Sequence, residues 1–407
     1  MKILYVSQYF PPEMGAPSAR VHELSREWVK LGHEVTVLTG FPNHPVGVVF
    51  PEYRGEFTRR EVVDGIHVVR VPIYAAANKG FFRRALNYSS FLFSASTVGA
   101  ALSKRPDVLI ATSPQFLTAV AGRWLAWLKG VPFVMEVRDL WPRSIVEVGA
   151  MKAGSPSIKV LERMEKFLYR HSDYIVPVTD SFVGEIEAHG GPRERMSVVT
   201  NGVDLELFQP RPKEEARAAV GIGPGPLVTY AGTHGMAHGL DLLLDAAKIL
   251  APEGIRFLLV GEGAEKARLK ARAQAESIAN VEFRDQETRD RLALIYSASD
   301  ICAVLLRDLP LFKAVIPSKI FELMGSARPI LTTVDGESRG IVEKAGAGVF
   351  SPPGDVQALV STIRTLLRDP SRLEAMGAAG RAYVEQNYSR PALAARYLDV
   401  LRTVVKP

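Results

Sequence analysis

The amino-acid sequence predicts an α/β protein of two doubly wound domains, each carrying a parallel sheet. Three observations predict it. Short apolar or β-branched runs alternate with helical patterns throughout. The alternation breaks and restarts at a Pro/Gly-rich stretch near residue 205. At 407 residues the chain also exceeds one ordinary core and suits two domains.

In the first half the expected strands are Lys2–Ser7, Glu34–Leu38, Val62–Val63, His67–Val71, Val108–Ala111, Phe133–Val137, Tyr174–Val178 and Ser197–Val199. Between the first two, Val21, Leu24, Trp28 and Leu31 recur at helical spacing over Ala19–Leu31, and Gly32 stops the helix. The break runs from Phe208-Gln209-Pro210-Arg211-Pro212 to Gly221–Pro226. Beyond it the expected strands are Leu227–Tyr230, Arg256–Val260, Val281–Arg284, Ile301–Leu305, Pro329–Thr332 and Gly348–Phe350. The expected domains are 1–205 and 206–385. Residues 386–407 form a closing segment, helical over Leu393–Val405, that can return to the first domain.

Composition narrows the function classes. The formal net charge is +6, with 24 Lys+Arg against 19 Asp+Glu in residues 1–200 and 26 against 25 in 201–407. No dense basic stripe marks a nucleic-acid binder, and the N-terminal excess favours anionic ligands or an anionic membrane surface. Cys302, the only cysteine, excludes an intrachain disulfide and a multi-cysteine metal site and suits the cytosol. Met1-Lys2-Ile3-Leu4 leads straight into a strand without a signal-peptide cleavage region. Ala85–Ser103, the longest charge-free stretch, is too rich in Ser and Asn for a good spanning helix. A cytoplasmic protein is expected, at most peripheral at the inner face of the membrane.

In open parallel sheets ligands bind beyond the carboxyl ends of strands. The first strand leads into Pro11-Pro12-Glu13-Met14-Gly15 and a helix, but neither G-x-G-x-x-G nor a Walker A sequence occurs. Phe133–Val137 leads into Arg138-Asp139-Leu140-Trp141-Pro142, which suits a polar substrate or, equally, a loop ion pair beside a buried Trp. Leu227–Tyr230 leads into Ala231-Gly232-Thr233-His234-Gly235-Met236-Ala237-His238-Gly239, whose glycines admit close backbone approach. Arg256–Val260 ends in Gly261-Glu262-Gly263. Finally, a helix opens at Pro317-Ser318-Lys319, with Ser318 placed to cap it. Lys319 sits in the first turn, where the helix dipole disfavours a cation unless an anion binds there. Glu322, one turn on, can accept from a ribose diol; the plain alternative is an exposed Lys–Glu pair.

Together these segments resemble the retaining glycosyltransferases of family 4, the group 1 transferases. Within that family they are similar to bacterial O-antigen, capsule and exopolysaccharide transferases, fucosamine-transferase-like members included. The resemblance covers essentially the whole chain. It rests on Pro11-Pro12-Glu13 with Gly15, Leu31 to Thr39, Asp139-Leu140-Trp141-Pro142, Asn201-Gly202-Val203-Asp204 before Phe208, Val260 to Gly263, and Pro317-Ser318-Lys319 with Phe321-Glu322. It implies the GT-B fold, two Rossmann-like domains whose parallel sheets face a central cleft. It implies a nucleotide-sugar donor, a UDP-sugar, held by the C-terminal domain, and a glycan or polyprenyl-linked acceptor held by the N-terminal one. Transfer retains anomeric configuration and uses no metal or other cofactor. By the same resemblance Glu322 holds the ribose, Ser318 and Lys319 meet the diphosphate, Gly232–Gly235 form the phosphate loop, and Gly15 faces donor and acceptor. Asp139, Arg138 and Lys319 are the catalytic candidates. Gly15, Gly232, Thr233, His234, Gly235, His238, Gly261, Gly263, Ser318, Lys319 and Glu322 are the binding candidates.

Three positions depart from the family pattern. The first glutamate of E-x7-E falls at Ala314, the usual basic residue of the donor loop is His238, and the usual histidine after the central strand is Arg138. Two rivals stay open: a non-catalytic nucleotide-sugar-binding protein, which the departures at Ala314 and His238 allow, and a GT-B epimerase that hydrolyses its donor, against which the missing carboxylate at Ala314 counts. Lys79-Gly80-Phe81-Phe82-Arg83-Arg84 with Phe91-Leu92-Phe93 has the make-up of an interfacial patch or of a packed helix with a basic end. The central expectation is geometric: the Gly232–Gly239 turn and the start of the Pro317–Glu322 helix converge.

Overall fold

A computed structural model of the chain describes residues 1–44, 46–76, 81–113, 115–147 and 151–405. The chain divides into two compact units, Met1–Thr200 with Arg390–Pro407, and Asn201–Ser389. The first boundary thus falls ahead of residue 205, and Asn201-Gly202-Val203-Asp204 go with the second unit, where Val203 bridges to Ser389.

Unit 1 carries β1 (Lys2–Val6), β2 (Glu34–Gly40), β3 (Arg59–Val63), β4 (Ile66–Val71), β5 (Val108–Thr112), β6 (Phe133–Val137) and β7 (Tyr174–Pro177), in the order β3-β4-β2-β1-β5-β6-β7. Every neighbouring pair is parallel except β3 with β4. That pair corrects the expectation of a wholly parallel sheet. Asp64-Gly65, both at positive φ (49° and 80°), make the two-residue turn that an antiparallel hairpin favours. Ser197–Val199 is not a strand either. Its amides donate to Ile175 and Pro177 carbonyls, but only Met196 forms an isolated bridge.

Strand residues alternate between two helical layers. Ile3, Tyr5, Val35, Val37, Val108 and Ile110 pack with Val21, Leu24 and Trp28 of the helix Ala16–Lys30 and with Leu393, Tyr397 and Leu401 of the closing helix Arg390–Val404. Trp28 Nε1 donates to the Ala394 carbonyl at 3.0 Å, and Tyr397 meets the indole edge-on at 5.4 Å. Buried Arg390 reaches Glu23 at 2.5 Å. The intervening strand residues face the other layer. Gly122 of the helix Phe116–Lys129 lies so close to Ala111 there that a Cβ would stand 2.3 Å from the Ala111 methyl.

Unit 2 carries β8 (Leu227–Ala231), β9 (Arg256–Val260), β10 (Val281–Arg284), β11 (Ile301–Val304), β12 (Ile330–Thr332) and β13 (Gly348–Phe350), ordered β10-β9-β8-β11-β12-β13 and parallel throughout. Its core joins Val228, Tyr230, Phe257, Leu259, Ile301 and Ala303 to Leu243, Leu244 and Leu250 of the helix Asp241–Leu250. Cys302 is buried, and burial pushes its thiol up to about 12, so it serves packing. No described helix is long and apolar enough to cross a membrane.

Candidate functional site

In unit 2 the chain starts at β8, winds outward to β10, then returns to β11 on the other side of β8. β8 and β11 therefore flank the topological switch point, where the following loops part and leave a crevice. The loop after β8 carries Gly232 to Gly239, and the loop after β11 leads to Lys319. The Arg307 amide donates to the Ala237 carbonyl at 2.8 Å, joining the two.

The loops after β8 and β9 run backbone to backbone. Gly232 N donates to Val260 O at 2.9 Å, His234 N to Glu262 O at 2.8 Å, and Glu265 N to His234 O at 2.9 Å. A Cβ at Gly261 would stand 1.9 Å from the Gly232 carbonyl oxygen, and one at Gly263 would stand 2.3 Å from that of His234. Neither position has room for a side chain. Gly261→Ala is expected to push the phosphate-loop candidate out of place, lowering stability by about 1–3 kcal/mol and weakening nucleoside diphosphate binding; calorimetry reads both.

Lys319 opens the helix Lys319–Gly325 and reaches the same loop. Its ammonium lies 4.1 Å from the Tyr230 ring centroid and 2.6 Å from where a Cβ on Gly232 would be. The Gly232 turn and the helix start thus converge. The Nζ is shielded from solvent and makes no hydrogen bond. Burial pushes its pKa down to about 8, with Glu322 pulling the other way. A cation held on an aromatic face with its donors unused is arranged to receive an anion. Ser318 does not act as expected: it occupies the cap position in helical geometry, and its side chain makes no capping bond.

Two histidines complete the cluster. The His234 ring is fully buried. Burial, then Lys266 and Lys319, push it down to about 4, the Val260 carbonyl opposing. His238 is pushed down to about 3 by burial and then Lys319, the Gly235 carbonyl opposing. Both rings are neutral at neutral pH, so the positive charge against the Gly232 turn is that of Lys319 and not of a histidine. Thr233 is exposed on the loop, and its carbonyl accepts from the Tyr230 hydroxyl at 2.9 Å. Glu322 lies 3.8 Å from Arg289 and 3.5 Å from the Tyr296 hydroxyl. Among the described residues, no three His, Cys, Asp or Glu are placed to hold a metal ion.

Gly15, Arg138 and Asp139 lie in unit 1. Gly15, at φ 128°, precedes the helix Ala16–Lys30, and the Arg138 guanidinium donates to Ala16 O at 3.0 Å and Pro17 O at 3.3 Å. Burial brings Arg138 down to about 10, Glu136 opposing. Its guanidinium therefore holds the start of the first helix. Asp139 is pushed up to about 6 by burial, against the Leu140 amide, Ser144 and Trp141, which hydrogen-bond its carboxylate.

Residues 15–202 match the glycosyl transferase 4-like domain, and residues 212–383 match the glycosyl transferases group 1 model. The chain is a glycosyltransferase of the GT-B fold. Along its length it is 25% identical to WcaI of Escherichia coli K12, provisionally named a colanic acid biosynthesis glycosyl transferase, covering 99% of this chain and 100% of that one. WbjE of Pseudomonas aeruginosa, provisionally named a glycosyltransferase, is 25% identical over 74% of this chain and 75% of its own. In fold the transferase is similar to Anabaena HepE in complex with UDP and glucose, with a TM-score of 0.74, 17% identity, and 99% of each chain covered.

The transferase also holds polar residues that sequence patterns missed. Glu136, fully buried on β6, accepts from the Tyr5 hydroxyl at 2.8 Å, Thr112 Oγ1 at 2.7 Å and Arg20 Nε at 2.9 Å. Arg20 also donates to the carbonyls of Val199 and Thr200, tying down the segment that leaves unit 1. The available signal was a charged residue inside each apolar pattern. Glu13, also buried, accepts from the amides of Asn43 and His44 and is pushed up to about 7 by burial, those amides opposing. The interfacial patch expected at residues 79–93 needs revision. Lys79 and Gly80 lie outside the described residues, and Phe91 is buried in the core.

Proposed function

We propose that this transferase moves a sugar from a nucleotide diphosphate donor, a UDP-sugar, to a glycan or polyprenyl-linked acceptor with retention of anomeric configuration, in cell-surface polysaccharide biosynthesis. The observation that carries the proposal is the Lys319 ammonium, buried without a hydrogen bond against the Gly232 turn at the switch point of unit 2. WcaI's name supports the polysaccharide role, and HepE's bound UDP supports the base. Retention follows from the family resemblance.

The chemical problem is the departure of a nucleoside diphosphate while positive charge builds on the anomeric carbon. Lys319 and the backbone amides of Gly232–Gly235 would meet the charge growing on the leaving group, electrostatic work that needs no proton carrier of unusual pKa. His238, neutral here, adds a hydrogen bond at most. Glu322 would accept from the ribose hydroxyls. Arg138 is a positioning residue by its bonds to Ala16 and Pro17, and Asp139 would hold a sugar hydroxyl.

A panel of nucleotide sugars read by thermal shift is expected to single out UDP-sugars. Nucleoside diphosphate release should then require an acceptor. Release at full rate without acceptor would instead favour the hydrolysing epimerase, and binding without release under any acceptor would favour a binding protein. Glu322→Ala should weaken UDP by about tenfold to a hundredfold, with a far smaller loss for 2′-deoxy-UDP, the scale of one charge-assisted hydrogen bond. Equal losses for the two ligands would remove Glu322 from the ribose site.

A further inference from the structure

Exposed apolar side chains are unevenly shared between the units. Among the described residues, every exposed large hydrophobic side chain except Met236 belongs to unit 1. The densest group lies on the helix Phe116–Lys129, where Trp124, Trp127 and Leu128 share one outward face at i, i+3 and i+4. Trp127 is 62% exposed, and the two indoles are 5.0 Å apart. Trp124 Nε1 donates to the Ser96 carbonyl at 3.3 Å, and Phe93, one turn before Ser96, is 68% exposed. Four large apolar side chains therefore meet on one surface formed by two neighbouring helical segments.

The topology says where this surface lies. A helix that follows β5 and feeds the parallel β6 must run back against the strands. Trp127, near its C-terminus, is therefore at the amino ends of the strands, the opposite end of the sheet from Asp139.

Charge distinguishes the possible occupants. From Gly65 to Met135 the chain holds eight Lys and Arg and one acidic residue, Asp107. The Asp107 carboxylate is already engaged by the Lys2 amide at 2.7 Å. Lys104 and Arg105 are exposed, and Arg105 donates to the Gly130 carbonyl at 3.1 Å, at the end of the tryptophan helix. Cations thus border the indoles. A second copy meeting this surface across a two-fold axis would set like charges together. An anionic bilayer satisfies both parts, because indoles settle at the headgroup boundary while cations meet lipid phosphates. We propose that Phe93, Trp124, Trp127 and Leu128, bordered by Lys104 and Arg105, form a docking surface for an anionic lipid bilayer. The proposal is independent of the donor chemistry assigned to unit 2.

The test is flotation of the full chain with vesicles of phosphatidylcholine alone or mixed with phosphatidylglycerol. Binding is expected on the mixed vesicles, at least tenfold weaker on phosphatidylcholine alone. Both Trp124→Ser/Trp127→Ser and Lys104→Glu/Arg105→Glu should lower partition to the mixed vesicles at least tenfold. Brominated lipids in the mixed vesicles should quench the wild-type tryptophan emission, without requiring any variant to fold. Absence of flotation and quenching would overturn the proposal. So would flotation indifferent to both variants, or self-association that the tryptophan variant abolishes while the wild type ignores vesicles.

Discussion

Lys319→Met is expected to raise the stability of the free protein while removing a hundredfold or more of its turnover. The Nζ is buried without a hydrogen-bond acceptor, and burial lowers its pKa from 10.5 to about 8. The sign follows from that direction. Below about pH 8 the folded chain carries a desolvated ammonium that the unfolded chain keeps in water. Holding the charge therefore costs stability, and the cost is relieved as pH rises from about 8 toward 10.5. Replacing it with an apolar side chain of similar length should gain roughly 1–3 kcal/mol near neutral pH. In catalysis the direction reverses. One missing donor to a developing anion typically costs about 3–4 kcal/mol of barrier. Thermal melts and steady-state rates on one preparation check both halves, and a destabilised variant with normal turnover would contradict both.

Glu136→Ala should have the largest effect on folding. Its carboxylate is fully buried with Tyr5, Thr112 and the Arg20 guanidinium on it, and its removal takes the facing carboxylate away from a buried charged guanidinium. Such a break costs about 3–5 kcal/mol, on the order of 10 °C in Tm. Burial alone would raise the Glu136 carboxyl, but Arg20 leads the interactions that hold it below its ordinary 4.5. Its contribution is therefore present above about pH 4.5 and is lost as pH falls through the folded value. Glu136→Gln should flatten that acid limb and cost less than Ala. Below the melting temperature, UDP binding should be retained in both variants, since Gly232–Gly235, Lys319 and Glu322, the residues assigned to UDP, lie in unit 2.

Fold and site were legible to different depths. Inner strands buried on both faces, Phe133–Val137 and Arg256–Val260, announce themselves as apolar runs and match to the residue, as do the partly exposed edge strands Val281–Arg284 and Gly348–Phe350. The antiparallel edge of the first sheet was harder. From Arg59 to Val63 half-buried and exposed residues alternate on β3 without an apolar run, and the Asp64-Gly65 turn carried more information than the short Val62–Val63 run. Glycines that follow strands pointed to the donor loops because close backbone approach leaves a mark in sequence. The partners of Lys319 did not. Tyr230 reads as one more apolar strand residue, and only the fold turns its ring toward the ammonium. Glu136 and Arg20 escaped for the same reason, being charges whose pairing spans distant segments of the chain.

The measurement closest to the central claim is calorimetric binding of UDP to the full chain between about pH 7 and 9, for wild type and Lys319→Met. A diphosphate seated against Lys319 raises that residue's pKa on binding. Wild-type affinity should then hold steady up to about pH 8 and weaken toward tenfold per unit above it, while the variant binds weakly at every pH. Wild-type affinity unchanged up to pH 9, or a Lys319→Met variant that binds UDP as tightly as wild type, would contradict the account.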